Sequence, residues 1–228
     1  MSEKPYVICH MTVSIDGKVT GEFLKDEGCF AAEDIYYRIH RNFHADAFAC
    51  GRVTMEGSFT GGWYPDLSAF ESKTVPHEDY IAETDTRFFA AAFDRRGRLG
   101  WKEAKIHDDD PGYDNAHIIE VLEEADDAYL AYLRKTGISY IFADTPAEAL
   151  IKLKKLFGIN TLLLEGGSVI NGAFERDQLI DELSLVMAPL AGGEKDAPLF
   201  DHSSVQNYEL LSVSDEGNSV LHLKYRKK

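Results

Sequence analysis

Four short polar clusters in this 228-residue chain contain the residue types that bind phosphates or transfer protons. They occupy residues 14–18, 51–54, 94–98 and 165–167, and each follows a run of apolar residues typical of a buried strand. Glycine lets the backbone approach an anion closely, and the free N–H groups at a helix start point towards that anion. The clusters therefore predict a site for a phosphorylated ligand.

Two of the clusters are glycine-containing helix entrances, Gly51-Arg52-Val53-Thr54 and Glu165-Gly166-Gly167. Two helix starts suit a pyrophosphate, and Arg52 with the pair Arg95 and Arg96 supplies forked donors for a further phosphate monoester. That combination indicates an NADP-type cofactor. The alternatives remain that Gly-Gly makes a plain tight turn, that Glu165 caps a helix and that Arg52 is a surface cation.

The first cluster contains the candidate catalytic residues Ser14, Asp16 and Lys18. Asp16 is the candidate proton donor or substrate anchor, although Asp-Gly also simply makes a turn. Lys18 either binds a substrate phosphate or is solvated. Hydride transfer requires little more of the protein, because the cofactor carries the chemistry.

The histidines do not predict a metal site. The eight histidines are scattered, and only His40 and His44 are spaced at i, i+4 on one predicted helix. Because the sequence offers that pair no third ligand, we expect no bound metal.

The periodicity of apolar residues predicts alternating strands and helices. Strands are expected at 6–13, 45–50, 87–93, 117–122, 138–143, 161–164 and 180–187, helices at 31–44, 124–135, 146–157 and 168–174, and a terminal hairpin at 208–213 and 220–225. This order predicts one α/β domain over residues 1–228, with a mainly parallel sheet and an antiparallel C-terminal edge. Residues 61–86 are expected to form a lid or an irregular insertion. The clusters follow strands, so they are expected to meet at one edge of the sheet.

Composition excludes several classes of partner. The formal net charge of −15 repels a phosphate backbone, so no nucleic-acid partner is expected. The three cysteines are unevenly spaced and fit a reducing compartment. The polar start of the sequence is unlike a signal peptide, and the apolar runs are too short to cross a membrane. We therefore expect a cytoplasmic protein without a membrane partner.

Several motifs resemble one reductase family. Ser14-Ile15-Asp16-Gly17-Lys18 resembles the S-[LI]-D-G-K motif of the reductase domain of bacterial riboflavin biosynthesis, the C-terminal half of the bifunctional deaminase-reductase. Glu165-Gly166-Gly167 is similar to the EGG of that domain, and residues 179–193 resemble its L-[IV]-D-E-L…P…GG ending. Residues 51–56 resemble instead the G-R-x-T-x-E of dihydrofolate reductase, whose fold that domain shares.

The resemblance implies a stand-alone member with a dihydrofolate-reductase-like three-layer α/β/α fold, NADPH as hydride donor and a homodimer. It implies that the cofactor contacts Gly51, Arg52, Thr54, Asp94, Arg95, Glu165, Gly166 and Gly167. The cofactor phosphates would lie at residues 51–54, the adenosine 2′-phosphate near residues 94–96, and the nicotinamide side at residues 166–167. Ser14, Asp16 and Lys18 would line the substrate side.

The implied function is NADPH-dependent reduction of a small heterocycle, pyrimidine or pterin-like, related to 5-amino-6-(5-phosphoribosylamino)uracil reduction in riboflavin biosynthesis. Residues 57–67 stand where that family has a D-x-P-x-L-T stretch that holds the ribityl phosphate substrate, so the exact substrate stays open. The alternatives are a non-catalytic NADP(H)-binding sensor and a dihydrofolate reductase.

Overall fold

The computed structural model describes residues 3–228. The described strands are β1 (Tyr6–Val13), β2 (Lys18–Thr20), β3 (Ala47–Gly51), β4 (Phe89–Phe93), β5 (His117–Leu122), β6 (Ser139–Phe142), β7 (Thr161–Leu164), β8 (Glu182–Met187), β9 (Ala197–Pro198), β10 (Tyr208–Asp215) and β11 (Leu221–Lys227). The α-helices are α1 (Glu27–Phe43), α2 (Arg52–Met55), α3 (Asp127–Thr136), α4 (Pro146–Phe157) and α5 (Ser168–Arg176). None of the described helices is long and apolar enough to cross a membrane.

Local capping explains where the helices begin and end. The predicted bounds of α4 are confirmed, because the Thr145 side chain accepts from the Glu148 N–H, Pro146 fits the first turn, and Gly158 ends the helix at φ 75°. Helix α1 begins at Glu27, earlier than the predicted residue 31. Asp26 is its N-cap and accepts from the Gly28 N–H at 2.8 Å, a signal that apolar periodicity does not contain.

The chain divides into two compact units. The first consists of Asp46–Asn160 with the described residues of the amino terminus. Its strands β3, β4, β5 and β6 pair in that order, and every pair is parallel. The register sets Gly51 beside Phe93, and Phe93 beside Val121. The clusters at 51–54 and 94–98 therefore start from the same edge of this sheet.

The second unit consists of Tyr6–Ala45 and Thr161–Lys228. Its strand order is β10-β11-β8-β1-β7. Strand β1 pairs in parallel with both β7 and β8, while β11 pairs antiparallel with β8 and β10. The predicted mainly parallel sheet with an antiparallel C-terminal edge is confirmed. The prediction of a single domain over residues 1–228 stays a prediction.

Residues 61–86 are irregular but packed within the first unit. Tyr64 stacks on Tyr129 of α3 with ring centroids 6.2 Å apart. Tyr80 and Tyr140 of β6 exchange two backbone hydrogen bonds of 2.8 and 2.9 Å. Asp79 accepts from the Phe142 N–H at 2.9 Å. The aromatic content of this segment is thus used for packing against α3 and β6.

A buried acid supports the turn that follows β4. Glu120 on β5 is fully buried and accepts from Trp101 Nε1, while its Oε2 has no hydrogen-bond partner among the described residues. Tyr129 Oη donates to the Leu99 carbonyl at 2.8 Å, and the Leu99 N–H donates to Asp94. Burial, with the nearby Asp94, raises the pKa of Glu120 well above its ordinary value.

The stability of the Glu120→Gln variant should increase relative to that of the native chain as pH rises. Because burial raises the pKa of Glu120, the folded chain binds more protons than the unfolded chain above the ordinary glutamate pKa, so native stability falls with pH there. We expect the difference in unfolding free energy to move towards the variant by roughly 1 kcal/mol per pH unit above about pH 5. Urea denaturation at several pH values measures this, with the exposed Glu124→Gln as control. If the difference in unfolding free energy does not change with pH, the folded chain does not hold Glu120 as a neutral acid.

Candidate functional site

The first strand-end cluster lies in the first unit, where β3 and β4 end. Gly51 is the N-cap of α2, and no side chain hydrogen-bonds to that helix start. Arg52 Nη1 lies 2.7 Å from Glu56 Oε2 one turn further on. Asp94 is buried and accepts from the N–H groups of Arg98 and Leu99. The structure thus brings the Arg52 cation near a buried carboxylate that is fixed by backbone donors.

Burial and the neighbouring groups shift the pKa of Asp94 in opposite directions. Burial raises its pKa, whereas the hydrogen bonds from Leu99 and Arg98 and the charge of Arg52 lower it. The carboxylate already has its backbone donors, so it holds the turn after β4. A cofactor contact of Asp94 remains a prediction.

The predicted cationic pair Arg95 and Arg96 is already matched by carboxylates. Arg95 makes a forked contact with Glu123, with Nη2 at 2.6 Å from Oε2, and Arg96 Nε lies 3.3 Å from Glu124 Oε1. Both pairs are exposed, and such pairs are weak, so a phosphate can displace the carboxylates. Sequence reasoning missed Glu123 and Glu124 because they follow β5, whose register with β4 brings them there.

The second cluster lies in the second unit, where β7 turns into α5. Gly166 has φ 93°, a left-handed conformation that favours glycine, and an added Cβ would lie 3.1 Å from Met11 Cε. The peptide bond between Gly166 and Gly167 is cis. Gly167 is the N-cap of α5, and no side chain hydrogen-bonds to that helix start. Backbone N–H groups therefore remain for an anion at this turn.

Glu165 is tied to helix α1 by a buried contact. Its Oε1 lies 2.6 Å from His40 Nδ1, and both side chains are almost fully buried. Neither residue is part of a three-residue group that would suit a metal, and the described residues contain no such group. Glu165, a predicted cofactor residue, is thus bound by His40, which its sequence spacing suggested only as a metal ligand.

Asn171 provides a test of whether this turn suits a cofactor. It is fully buried on α5, and neither atom of its amide has a hydrogen-bond partner in the part of the chain that the structure describes. Its Nδ2 lies 3.8 Å from the position of a Cβ on Gly166. An unpaired buried amide costs about 1–3 kcal/mol, so a polar ligand at the turn is favoured. An uncapped helix start beside an unpaired amide fits a dinucleotide.

The Ser14, Asp16 and Lys18 cluster is confined to the second unit. Ser14 Oγ donates to Asp16 Oδ1 at 2.6 Å and accepts from the Lys18 N–H at 2.9 Å. Asp16 Oδ1 also accepts from the Gly192 N–H at 2.7 Å. The hydrogen bonds from Gly192 and Ser14 lower the pKa of Asp16. Of the two predicted roles, this geometry favours the substrate anchor over the proton donor.

The fold is that of an α/β protein, and a glycine-containing helix entrance follows a strand end in each unit. Residues 5–222 match the RibD C-terminal domain, and the chain belongs to this family. The predicted family and fold class are confirmed.

The proteins similar to the chain include two curated relatives and one solved structure. The 2,5-diamino-6-ribosylamino-4(3H)-pyrimidinone 5′-phosphate reductase of Methanothermobacter thermautotrophicus is 25% identical over 197 residues, covering 85% of this chain and 82% of the relative. The protein of the same name from Aquifex aeolicus is 26% identical over 212 residues, covering 86% and 82%. Acinetobacter baumannii RibD superposes with a TM-score of 0.67 at 19% identity, covering 100% of this chain. The chain spans 59% of that protein's length.

The relatives also bear on the predicted activity. Both curated relatives are named reductases, which confirms the predicted oxidoreductase class and implies a nicotinamide cofactor. The assignment of individual residues to cofactor or substrate stays a prediction.

Asp16→Asn should lower turnover roughly tenfold or more, with little effect on cofactor affinity. The reason is that the variant removes a charge from the predicted substrate side and keeps an acceptor for the Gly192 N–H. Steady-state kcat and an NADPH fluorescence titration measure the two effects. Asp215→Asn is the matched control, since Asp215 also accepts a backbone N–H, from Gly217 at 2.9 Å, in the terminal hairpin. Unchanged turnover removes Asp16 from the reaction.

Proposed function

We propose that this chain is an NADPH-dependent reductase of a ribosylamino-pyrimidinone 5′-phosphate, the substrate class in the names of its curated relatives. Family membership over residues 5–222 supports the proposal. The observation that carries it is the start of α5, where an uncapped helix N-terminus adjoins the unpaired amide of Asn171.

In this proposal the cofactor contacts are assigned within each unit separately. In the first unit, Gly51, Arg52 and Thr54 are assigned to phosphates, and Asp94 and Arg95 with Arg52 to the adenosine 2′-phosphate. In the second unit, Gly166 and Gly167 are assigned to the pyrophosphate and the nicotinamide side. Support comes from a helix start in each unit that no side chain caps, and from the Arg52 cation in the first unit.

NADPH, when bound, supplies a hydride to the substrate. A ribosylamine in its open form has a C=N bond, so the carbon takes the hydride and the nitrogen takes a proton. The proposed roles of the chain are to orient this group and to bind the phosphate. Lys18 binds the 5′-phosphate, as a cation whose charge also helps to lower the pKa of the neighbouring Asp16. Asp16 accepts from substrate N–H or hydroxyl groups.

A homodimer in the cytoplasm belongs to the same proposal. Strand β10 is an end strand of its sheet, and Leu210 and Val213 on it are 51% and 52% exposed. Exposed apolar side chains on an unpaired strand edge favour association with a second copy. Sedimentation of the purified chain measures this state directly.

An absorbance assay tests the reductase proposal. NADPH bound by the purified chain should be oxidised when 2,5-diamino-6-ribosylamino-4(3H)-pyrimidinone 5′-phosphate is added, and far more slowly with the substrate lacking its phosphate. Dihydrofolate serves as the control heterocycle. Binding of NADPH without oxidation by any member of a pyrimidine and pterin panel would favour the non-catalytic sensor instead.

Arg52→Ala should weaken NADPH binding far more than NADH binding. A charge-assisted hydrogen bond to the 2′-phosphate is worth about 1.5–3 kcal/mol, so the NADPH dissociation constant should rise roughly ten- to hundredfold. Fluorescence titration with each cofactor measures the ratio, and Arg176→Ala on the exposed end of α5 is the control. Equal losses for both cofactors would remove Arg52 from the 2′-phosphate.

A further inference from the structure

Helix α1 is anchored independently of the turn between β7 and α5. Its buried face includes Ile35 and Ile39, which pack in one cluster with Val186 and Ala188 at the end of β8. His40 follows directly on this face and is 4% exposed. Its ring is therefore fixed by the packing of the helix on the sheet, and its Nδ1 is directed at Glu165.

Glu165 is the residue directly before the glycine pair that makes the turn. Glycine has the largest backbone freedom of any residue, and two in succession leave the directions of their N–H groups weakly specified. A side-chain hydrogen bond of 2.6 Å from a rigid helix to Glu165 restricts the backbone at the start of this pair. The contact joins residues that are 125 positions apart in the sequence.

Two buried ionisable groups near this pair, His10 and Cys9, are uncharged near neutral pH. Burial lowers the pKa of His10 to about 4, and its ring hydrogen-bonds Tyr36 and Ser184. Burial raises the pKa of the Cys9 thiol well above its usual range. A further carboxylate in this region is that of Glu175, which accepts from Tyr208 Oη.

We propose that His40 is a positioning residue for the cofactor, acting through Glu165 on the Gly166–Gly167 turn. This inference rests on the proposed function and goes beyond it, because neither His40 nor its helix contacts the glycines in the proposal above. The hydrogen bond aligns the N–H groups at the start of α5 before the cofactor arrives. Such pre-organisation raises affinity by reducing the ordering required on binding.

Three variants test the inference: His40→Ala, His40→Asn and the control His44→Asn. Asparagine places an amide nitrogen close to the position of the imidazole Nδ1, so His40→Asn keeps the donor without a titratable ring. His44 ends the same helix at φ 46° and is exposed, and asparagine accepts that conformation readily.

We expect His40→Ala to raise the NADPH dissociation constant about tenfold or more, with smaller enhancement of nicotinamide fluorescence. His40→Asn should recover most of the affinity, and His44→Asn should bind as the native chain does. In the absorbance assay, KM for NADPH should rise in His40→Ala while KM for the pyrimidinone phosphate stays constant. This split separates positioning of the turn from a general loss of structure.

Native NADPH affinity in His40→Ala, or an equal loss in His40→Asn and His40→Ala, overturns the inference. If His40→Ala does not fold, Glu165→Gln takes its place. That variant replaces a charged acceptor by a neutral one, which weakens the hydrogen bond from His40. Its NADPH affinity should therefore fall, and native affinity again overturns the inference. A native chain that binds neither NADPH nor NADH contradicts the proposed function itself, whereas native binding with unaffected variants contradicts only the role of His40.

Discussion

Parallel strand pairing is the constraint on which both glycine-containing helix entrances depend. Parallel neighbours end on the same side of a sheet, so loops that are distant in sequence start from neighbouring points. In the first unit this sets Gly51 and Phe93 side by side, and in the second it sets Leu164 beside Cys9 of the longer strand β1. Each glycine-containing helix entrance follows directly from one of these strand ends.

Carboxylates hold the loops that leave these strand ends. Glu165 binds His40, Asp94 accepts from backbone N–H groups in its own turn, and Asp16 joins Ser14 to Gly192. Each of these contacts lies within one unit. They can therefore fix backbone geometry, while helix-start N–H groups and cations such as Arg52 and Lys18 supply attraction for phosphates. This division of roles suits the proposed binding of an anionic cofactor and an anionic substrate by an acidic protein.

Apolar periodicity and glycine signals predicted the parallel strands, helix α4 and the glycine turns, because those signals are local in sequence. The contacts missed were long-range. Nothing near Glu165 in sequence indicates His40, and nothing near Asp16 indicates the Gly192 N–H. Asn171 gave no signal either, since an asparagine within a helix pattern does not show whether its amide is paired.

The central claim is that the uncapped N–H groups at the start of α5 hold the cofactor. Amide hydrogen exchange of the native chain, with and without saturating NADPH, tests it most directly. The account predicts slower exchange in peptides that cover residues 165–169, and unchanged exchange in the hairpin turn at residues 216–220. Saturation with NADPH that leaves exchange at the start of α5 unaltered would contradict it.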